Sequence, residues 1–235
     1  MENYNNAAED FREARRRAAM EGIIARLTGR SVELLSFEDV RRKLKVEGGA
    51  GRERRRIPLD AIVGSVGRYN DFSRSFLPKN KSDEERWAGV KTAMGKTTGL
   101  PPIEVYQIDQ AYFVVDGNHR VSVARQRGTE TIEAFVTVFH TKVPLGPDAK
   151  PDDLIAKAEY ADFLDHTRLD ECWPDADLQV SIPDQYWIIE THIEAYRFMQ
   201  AQKNDEELSF QEAACHWYKE TYLPVIQLVK EQGIL

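Results

Sequence analysis

The chain has 235 residues, of which 42% are hydrophobic and 30% charged, with a formal net charge of -7. That is enough apolar material for a buried core and enough length for one or two domains, which excludes global disorder. No stretch reaches the roughly 18 apolar residues of a membrane-spanning helix, so no membrane partner is expected.

The N-terminal sequence lacks the apolar segment of a secretory signal, and two cysteines, Cys172 and Cys215, are too few for a disulfide scaffold and have no metal-ligand spacing. The expected compartment is a reducing cytoplasm. The charge is uneven. Residues 1–56 carry 14 Lys and Arg against 10 Asp and Glu, residues 57–143 carry 11 against 10, and residues 144–235 carry 7 against 19. A broad nucleic-acid-gripping surface needs basic charge on the main folded face, so that chemistry is confined to the first segment.

Ala7 to Leu27 is rich in strong helix formers, with Phe11, Ala14, Ala18, Ile23 and Leu27 toward one side and Gly29 as a stop. Ser36 to Leu44 reads as a short helix with Ser36 as its cap. Gly48-Gly49-Ala50-Gly51 followed by Arg52 to Arg56 has the composition of a flexible, charged linker. Ile57 to Val63 reads as a short strand or strand-turn, and 64 to 78 as a loop. Ser82 to Thr97 is a predicted helix, with Ser82 and Glu85 at capping-box spacing and Gly99 and Pro101 beyond its end. Ile103 to Ile108, the Asp109-Gln110 turn and Ala111 to Val115 make a hairpin. Asn118 to Arg127 is a helix stopped by Gly128, and Thr131 to Phe139, β-branched and aromatic, is a strand. The acidic remainder is helical over 151–165, 183–202 and 209–233. In the last of these Ser209 and Glu212 repeat the capping-box spacing, and Pro224 must kink or divide the helix.

One segment carries chemistry. In Val114-Val115-Asp116-Gly117-Asn118-His119-Arg120 a strand meets a sharp turn and a helix starts at once. A helix N-terminus offers unpaired N–H groups and a partial positive charge, which suits a phosphate. Gly117 lets backbone approach a ligand closely, Asn118 can cap the helix, His119 can donate, and Arg120 can add a forked contact. Asp116 beside a phosphate is explained by a bound Mg²⁺ or by a role as base. The alternative reading of the chain uses Arg15, Arg16, Arg54 and Arg55 on nucleic acid. His192-Ile193-Glu194 mimics part of a zinc-deaminase signature but lacks the paired cysteines.

The Asp116–Arg120 turn, its following helix and Gly128 resemble the core of the ParB/sulfiredoxin superfamily, with matching element order from Ile57 to Phe139. Ile57 to Ile62 looks like the opening strand of the ParB N-terminal domain, and Pro102-Ile103-Glu104-Val105 like its Pro-Ile-x-Val strand. Arg68 falls in the loop where ParB proteins place an Asn-Pro-Arg arginine, so the resemblance implies that it faces the same pocket. The turn is also similar to the Asp-Gly-His-x-Arg of the superfamily's free-serine kinases, whose loop glutamate has no counterpart between Ile62 and Arg74, where only Asp71 is acidic. The sulfiredoxin cysteine is replaced by Asn118, which excludes thiol chemistry there, and no helix-turn-helix follows. The expectation is an α+β protein with a ParB/sulfiredoxin-like mixed-sheet domain at 57–143. A basic helical arm and linker at 1–56 precede it, and an acidic helical region at 144–235 follows. The expected ligand is a nucleotide or phosphorylated small molecule with Mg²⁺, Asp116 being catalytic base or metal ligand in phosphoryl transfer or nucleotide hydrolysis. A DNA-associated regulator or nuclease and a non-catalytic interaction module are the alternatives.

Overall fold

A computed structural model describes residues 2–29, 31–94, 100–180, 182–204 and 207–233. Its backbone contacts divide the chain into two compact units, Met1–Leu154 and Ile155–Leu235.

The first unit is built on a six-stranded mixed sheet in the order β1-β3-β5-β4-β6-β2. The strands are β1 (Leu35–Ser36), β2 (Glu47–Pro58), β3 (Ile62–Ser65), β4 (Ile103–Ile108), β5 (Ala111–Asp116) and β6 (Thr131–His140). The central hairpin β4–β5 forms as its pattern predicts, with Asp109 in the left-handed turn conformation. Helix α4 (Asn118–Gln126) carries the chain from β5 to β6, which lies parallel to β4. Alternation decides the faces. Ile103 and Val105 of β4, Val114 of β5 and Ala134 and Val136 of β6 join Ile57, Phe72, Phe76 and Val121 in one buried cluster. Phe113, one residue before Val114, instead meets Phe37 of α2 (Phe37–Lys43), with ring centroids 5.6 Å apart.

The stretch read as a linker is strand. Residues 47–58 pair antiparallel with β6, with register shifts between Gly48 and Ala50 and between Ala50 and Glu53. The glycines serve these bulges: Gly49 has φ +115°, and a Cβ there would lie 2.8 Å from the Phe139 ring. Nor is the N-terminal helix a separate arm. Helix α1 (Glu2–Thr28) packs on α3 (Glu84–Met94), with Phe11 and Trp87 fully buried and their ring centroids 5.8 Å apart. The expected boundary at 56/57 is therefore absent, and the division falls at 154/155.

Ser36 caps α2 as expected, accepting from the Asp39 N–H. Ser82 does not cap α3. It sits inside a 3-10 turn, Lys81–Asp83, that leads into the helix, and the residue at the cap of that turn is Asn80. Residues 95–97 of the predicted helix, and Gly99 beyond it, lie outside the described residues.

The second unit contains most of α5 (Asp153–Thr167), then α6 (Leu169–Cys172), α7 (Tyr186–Asn204), α8 (Phe210–Trp217) and α9 (Leu223–Glu231). Tyr160, Phe163 and Tyr186 stack in its core. The Ser209–Glu212 capping box is present at α8. Pro224 has no N–H to offer the preceding turn, and the ladder just before it widens into a π segment, Tyr218–Tyr222, dividing the last helix as its sequence predicts. The cysteines are a correction to the sequence reading. Cys172 and Cys215 are disulfide-bonded, joining α6 to α8 across a sequence separation of 43. A pair spaced this far apart has no sequence signature, because only the packing of α6 on α8 brings the two together.

Candidate functional site

The turn between β5 and α4 has the predicted form. Gly117 holds φ +116° at the helix start, and the first turned hydrogen bond runs from Val121 N–H to the Gly117 carbonyl at 3.0 Å. The packing supplies a reason for the glycine that the sequence does not show. A Cβ at Gly117 would lie 2.4 Å from Ile103 Cγ2, so close packing against β4 by itself requires a glycine here. The cap residue is Gly117 itself, with no side-chain cap, so Asn118 is not the cap. Asn118 is buried as the first residue of the helix, and its Oδ1 has no partner. The N–H groups of this first turn remain the helix's unsatisfied donors.

Two polar arrangements flank the turn. Arg120 donates from Nη1 to the carbonyls of Pro101 and Pro102 at 2.5 and 3.0 Å, and from Nη2 to the Asp116 carboxylate. Its side chain is 12% exposed and that of Asp116 is 61% exposed. Arg120, expected as a free phosphate ligand, thus braces the turn against the start of β4 and neutralises Asp116. A cleft of about 420 Å³ opens beside it, lined by Arg56, Pro101, Pro102, Arg120, Thr131 and Glu133 among others.

The second arrangement gathers residues distant in sequence. Arg68 Nε donates to Asp71 Oδ2 at 2.6 Å and Nη2 to Asp83 Oδ1 at 2.7 Å, while Nη1 meets His119 Nε2 at 2.9 Å. Asn80 donates to the other oxygen of Asp71 at 2.8 Å. The Phe72 ring meets the imidazole edge-on, 5.3 Å between centroids. Burial by itself lowers the Arg68 pKa, but the hydrogen-bonded carboxylates of Asp83 and Asp71 outweigh it and hold it above its ordinary value. His119 is pushed the other way, to about 4. Burial is the main cause, Asp83 and Asp71 oppose it, and the charges of Arg68 and Arg86 reinforce it. Three buried side-chain atoms in this cluster have no hydrogen-bond partner: Asp83 Oδ2, Asn118 Oδ1 and His119 Nδ1. Such atoms are costly unless something polar meets them.

The structure brings Arg68 into contact with His119 of the turn and adds Asp83, which the sequence gives only as part of a helix start. The acidic run Asp83-Glu84-Glu85 was the available signal. The arginines proposed for nucleic acid are engaged elsewhere. Arg54 pairs with Glu133 at 2.5 Å, Arg55 with Glu53 at 3.0 Å, and Arg15 and Arg16 donate to the carbonyls of Lys79 and Arg12. Among the described residues no three His, Cys, Asp or Glu side chains are grouped to hold a metal ion, and no helix is long and apolar enough to cross a membrane.

Residues 71–145, from the loop after Arg68 through α4 and β6, match the ParB N-terminal domain family. The match covers about a third of the chain. Among the solved structures similar to the chain are two from different proteins. Sulfiredoxin from Arabidopsis thaliana is 17% identical, with 37% of this chain and 88% of that one covered, at a TM-score of 0.30. The C-terminally truncated chromosome-partitioning protein ParB from Caulobacter crescentus, complexed with CTP-gamma-S, is 15% identical, with 76% and 86% covered, at a TM-score of 0.27. No curated protein matches the chain. The matched ParB-like segment contains every residue of the turn and of the Arg68 cluster except Arg68 itself.

Proposed function

We propose that the ParB-like domain binds a nucleotide or a phosphorylated small molecule at the β5–α4 turn, around Asp116, Gly117, Asn118, His119 and Arg120. The observation that carries this is the convergence of two features. The first turn of α4 presents its N–H donors at the end of a central strand, and a cluster with three buried, unpartnered polar atoms, including Asn118 and His119 of that same turn, lies against it. A phosphate fits the backbone donors without needing a lysine. The cleft beside Arg120 is of a size that holds a small ligand.

Phosphoryl transfer or nucleotide hydrolysis is the reaction class that this site would serve. Mg²⁺ is commonly held by one or two carboxylates together with substrate phosphates. Asp116, exposed beside the turn, is the carboxylate we assign to that role or to that of base. Asp116 would hold the ion, which would compete with Arg120 for the carboxylate and leave Arg120 Nη2 available to a phosphate oxygen.

Isothermal calorimetry with ATP, ADP and CTP, each with Mg²⁺, tests the proposal. CTP is included because the solved Caulobacter protein holds CTP-gamma-S. Saturable binding that weakens in Asn118→Asp, which sets a second carboxylate at the helix start, is the expected result. Absence of binding at millimolar concentration of all three overturns it.

A further inference from the structure

A guanidinium N–H can only donate, whereas an imidazole nitrogen donates or accepts according to where its proton sits. Arg68 Nη1 lies 2.9 Å from His119 Nε2, so Nε2 is the acceptor of that hydrogen bond. The one proton of the neutral ring must then be on Nδ1. That atom is buried and has no partner. The arrangement holds only while Arg68 keeps its place, and two carboxylates keep it there. Asp71 takes Nε at 2.6 Å and Asp83 takes Nη2 at 2.7 Å. Asp83 Oδ1 is itself 3.8 Å from His119 Nε2, too far for a hydrogen bond to the ring, so the hydrogen bond that sets the tautomer comes from Arg68.

We propose that Arg68, clamped by Asp71 and Asp83, is a positioning residue that fixes His119 as the neutral Nδ1–H tautomer and so turns its free edge into a hydrogen-bond donor. The tautomer stands on the contacts alone, and only its use by a ligand rests on the phosphate-site reading above. A donor edge selects what can face it: a phosphate, carboxylate or hydroxyl oxygen fits, and a protonated amine does not. The same edge has no lone pair, so His119 is not the base of any reaction at this site. The charged groups that act on the ring are Asp83, Arg68, Arg86 and Asp71; burial together with the two arginines outweighs the two carboxylates and holds it neutral through physiological pH.

Nitrogen NMR of the imidazole rings tests this on the protein alone. Protonated and bare ring nitrogens differ widely in ¹⁵N shift, and the His119 signals are identified by their loss in His119→Gln. The expected wild-type result is Nδ1 protonated and Nε2 bare from pH 8 to 5. In Arg68→Ala the expected result is appearance of the Nε2–H tautomer and a titration moved toward the ordinary value, while Arg68→Lys, which still donates, restores Nδ1–H. Should Arg68→Ala fail to fold, Arg68→Gln serves, because its amide can donate or accept and must yield a mixture of tautomers. A wild-type proton on Nε2, a wild-type titration between pH 5 and 8, or an unchanged tautomer in Arg68→Ala or Arg68→Gln would overturn the proposal. A merely structural Arg68 would alter stability without moving the tautomer. Failure of every nucleotide to bind in calorimetry would leave this result untouched, so the two readings fail separately.

Discussion

The neutral, buried state of His119 makes the stability of the first unit depend on pH in a defined window. The folded-state pKa is about 4 against an ordinary value of 6.5. Below 6.5 the unfolded chain takes up a proton that the folded chain refuses, so stability falls as pH drops toward 4 and is fully present above 6.5. Each unit of difference corresponds to about 1.4 kcal/mol, which puts the loss by pH 4 at about 3 kcal/mol. The His119 side chain is 6% exposed, so little of this is removed by solvent screening. Carboxylates titrate in the same window, and His119→Gln separates them out. Glutamine does not titrate, and its amide oxygen can accept from Arg68. Urea unfolding followed on the amide resonances of β4, β5 and β6 reads the first unit alone. Between pH 7 and 4 the wild type should lose up to about 3 kcal/mol more than the variant, with no difference in slope between pH 7 and 8. Parallel pH profiles of the two proteins would refute the assignment of a buried, neutral imidazole.

Three further outcomes follow from particular contacts. Gly117→Ala meets both a positive φ and a 2.4 Å clash with Ile103 Cγ2, and should lower stability by several kcal/mol. Partial rescue by Ile103→Ala in the double variant, measured by thermal melting, confirms that the clash and not a lost ligand is the cause. Ser122→Ala leaves the buried Trp87 indole N–H, now 2.9 Å from Ser122 Oγ, without its partner and should cost about 1–3 kcal/mol. A loss under about 0.5 kcal/mol in urea unfolding would show that the indole finds another acceptor. Reducing Cys172–Cys215 releases a closed loop of 43 residues and should destabilise the second unit by about 2–4 kcal/mol, leaving the first unchanged. Differential scanning calorimetry with and without reductant separates the two transitions, and an unmoved second transition would count against the bond.

Local patterns of composition, turn residues and capping identified α1, α4, the β4–β5 hairpin, β6 and the capped start of α8, because each of these is specified by residues a few positions apart. The Ser209–Glu212 box and the Asp116–Gly117 turn are both local patterns of this sort. The glycine-rich stretch at 48–51 misled for the opposite reason. Flexible composition was read as a linker, whereas pairing with β6 absorbs the three positive-φ glycines as bulges. The same holds for Ser82, whose capping spacing lost to a 3-10 turn that brings Asp83 to Arg68.

At the site, sequence by itself determined that a strand turns through glycine into a helix, and which five residues form the turn. Their roles were settled only by tertiary contacts. Residues Arg68, Asp71, Asp83 and His119 are spread over some fifty positions and share no periodicity, so their clamp exists only because the sheet and α4 bring them within hydrogen-bond distance. Likewise Arg120 reads as a phosphate ligand in the linear motif, yet the start of β4 supplies two carbonyls and Asp116 a carboxylate that engage it first. A hydrogen bond is specified by positions in space, and for residues distant along the chain those positions follow from the packing of the whole unit and not from any local pattern.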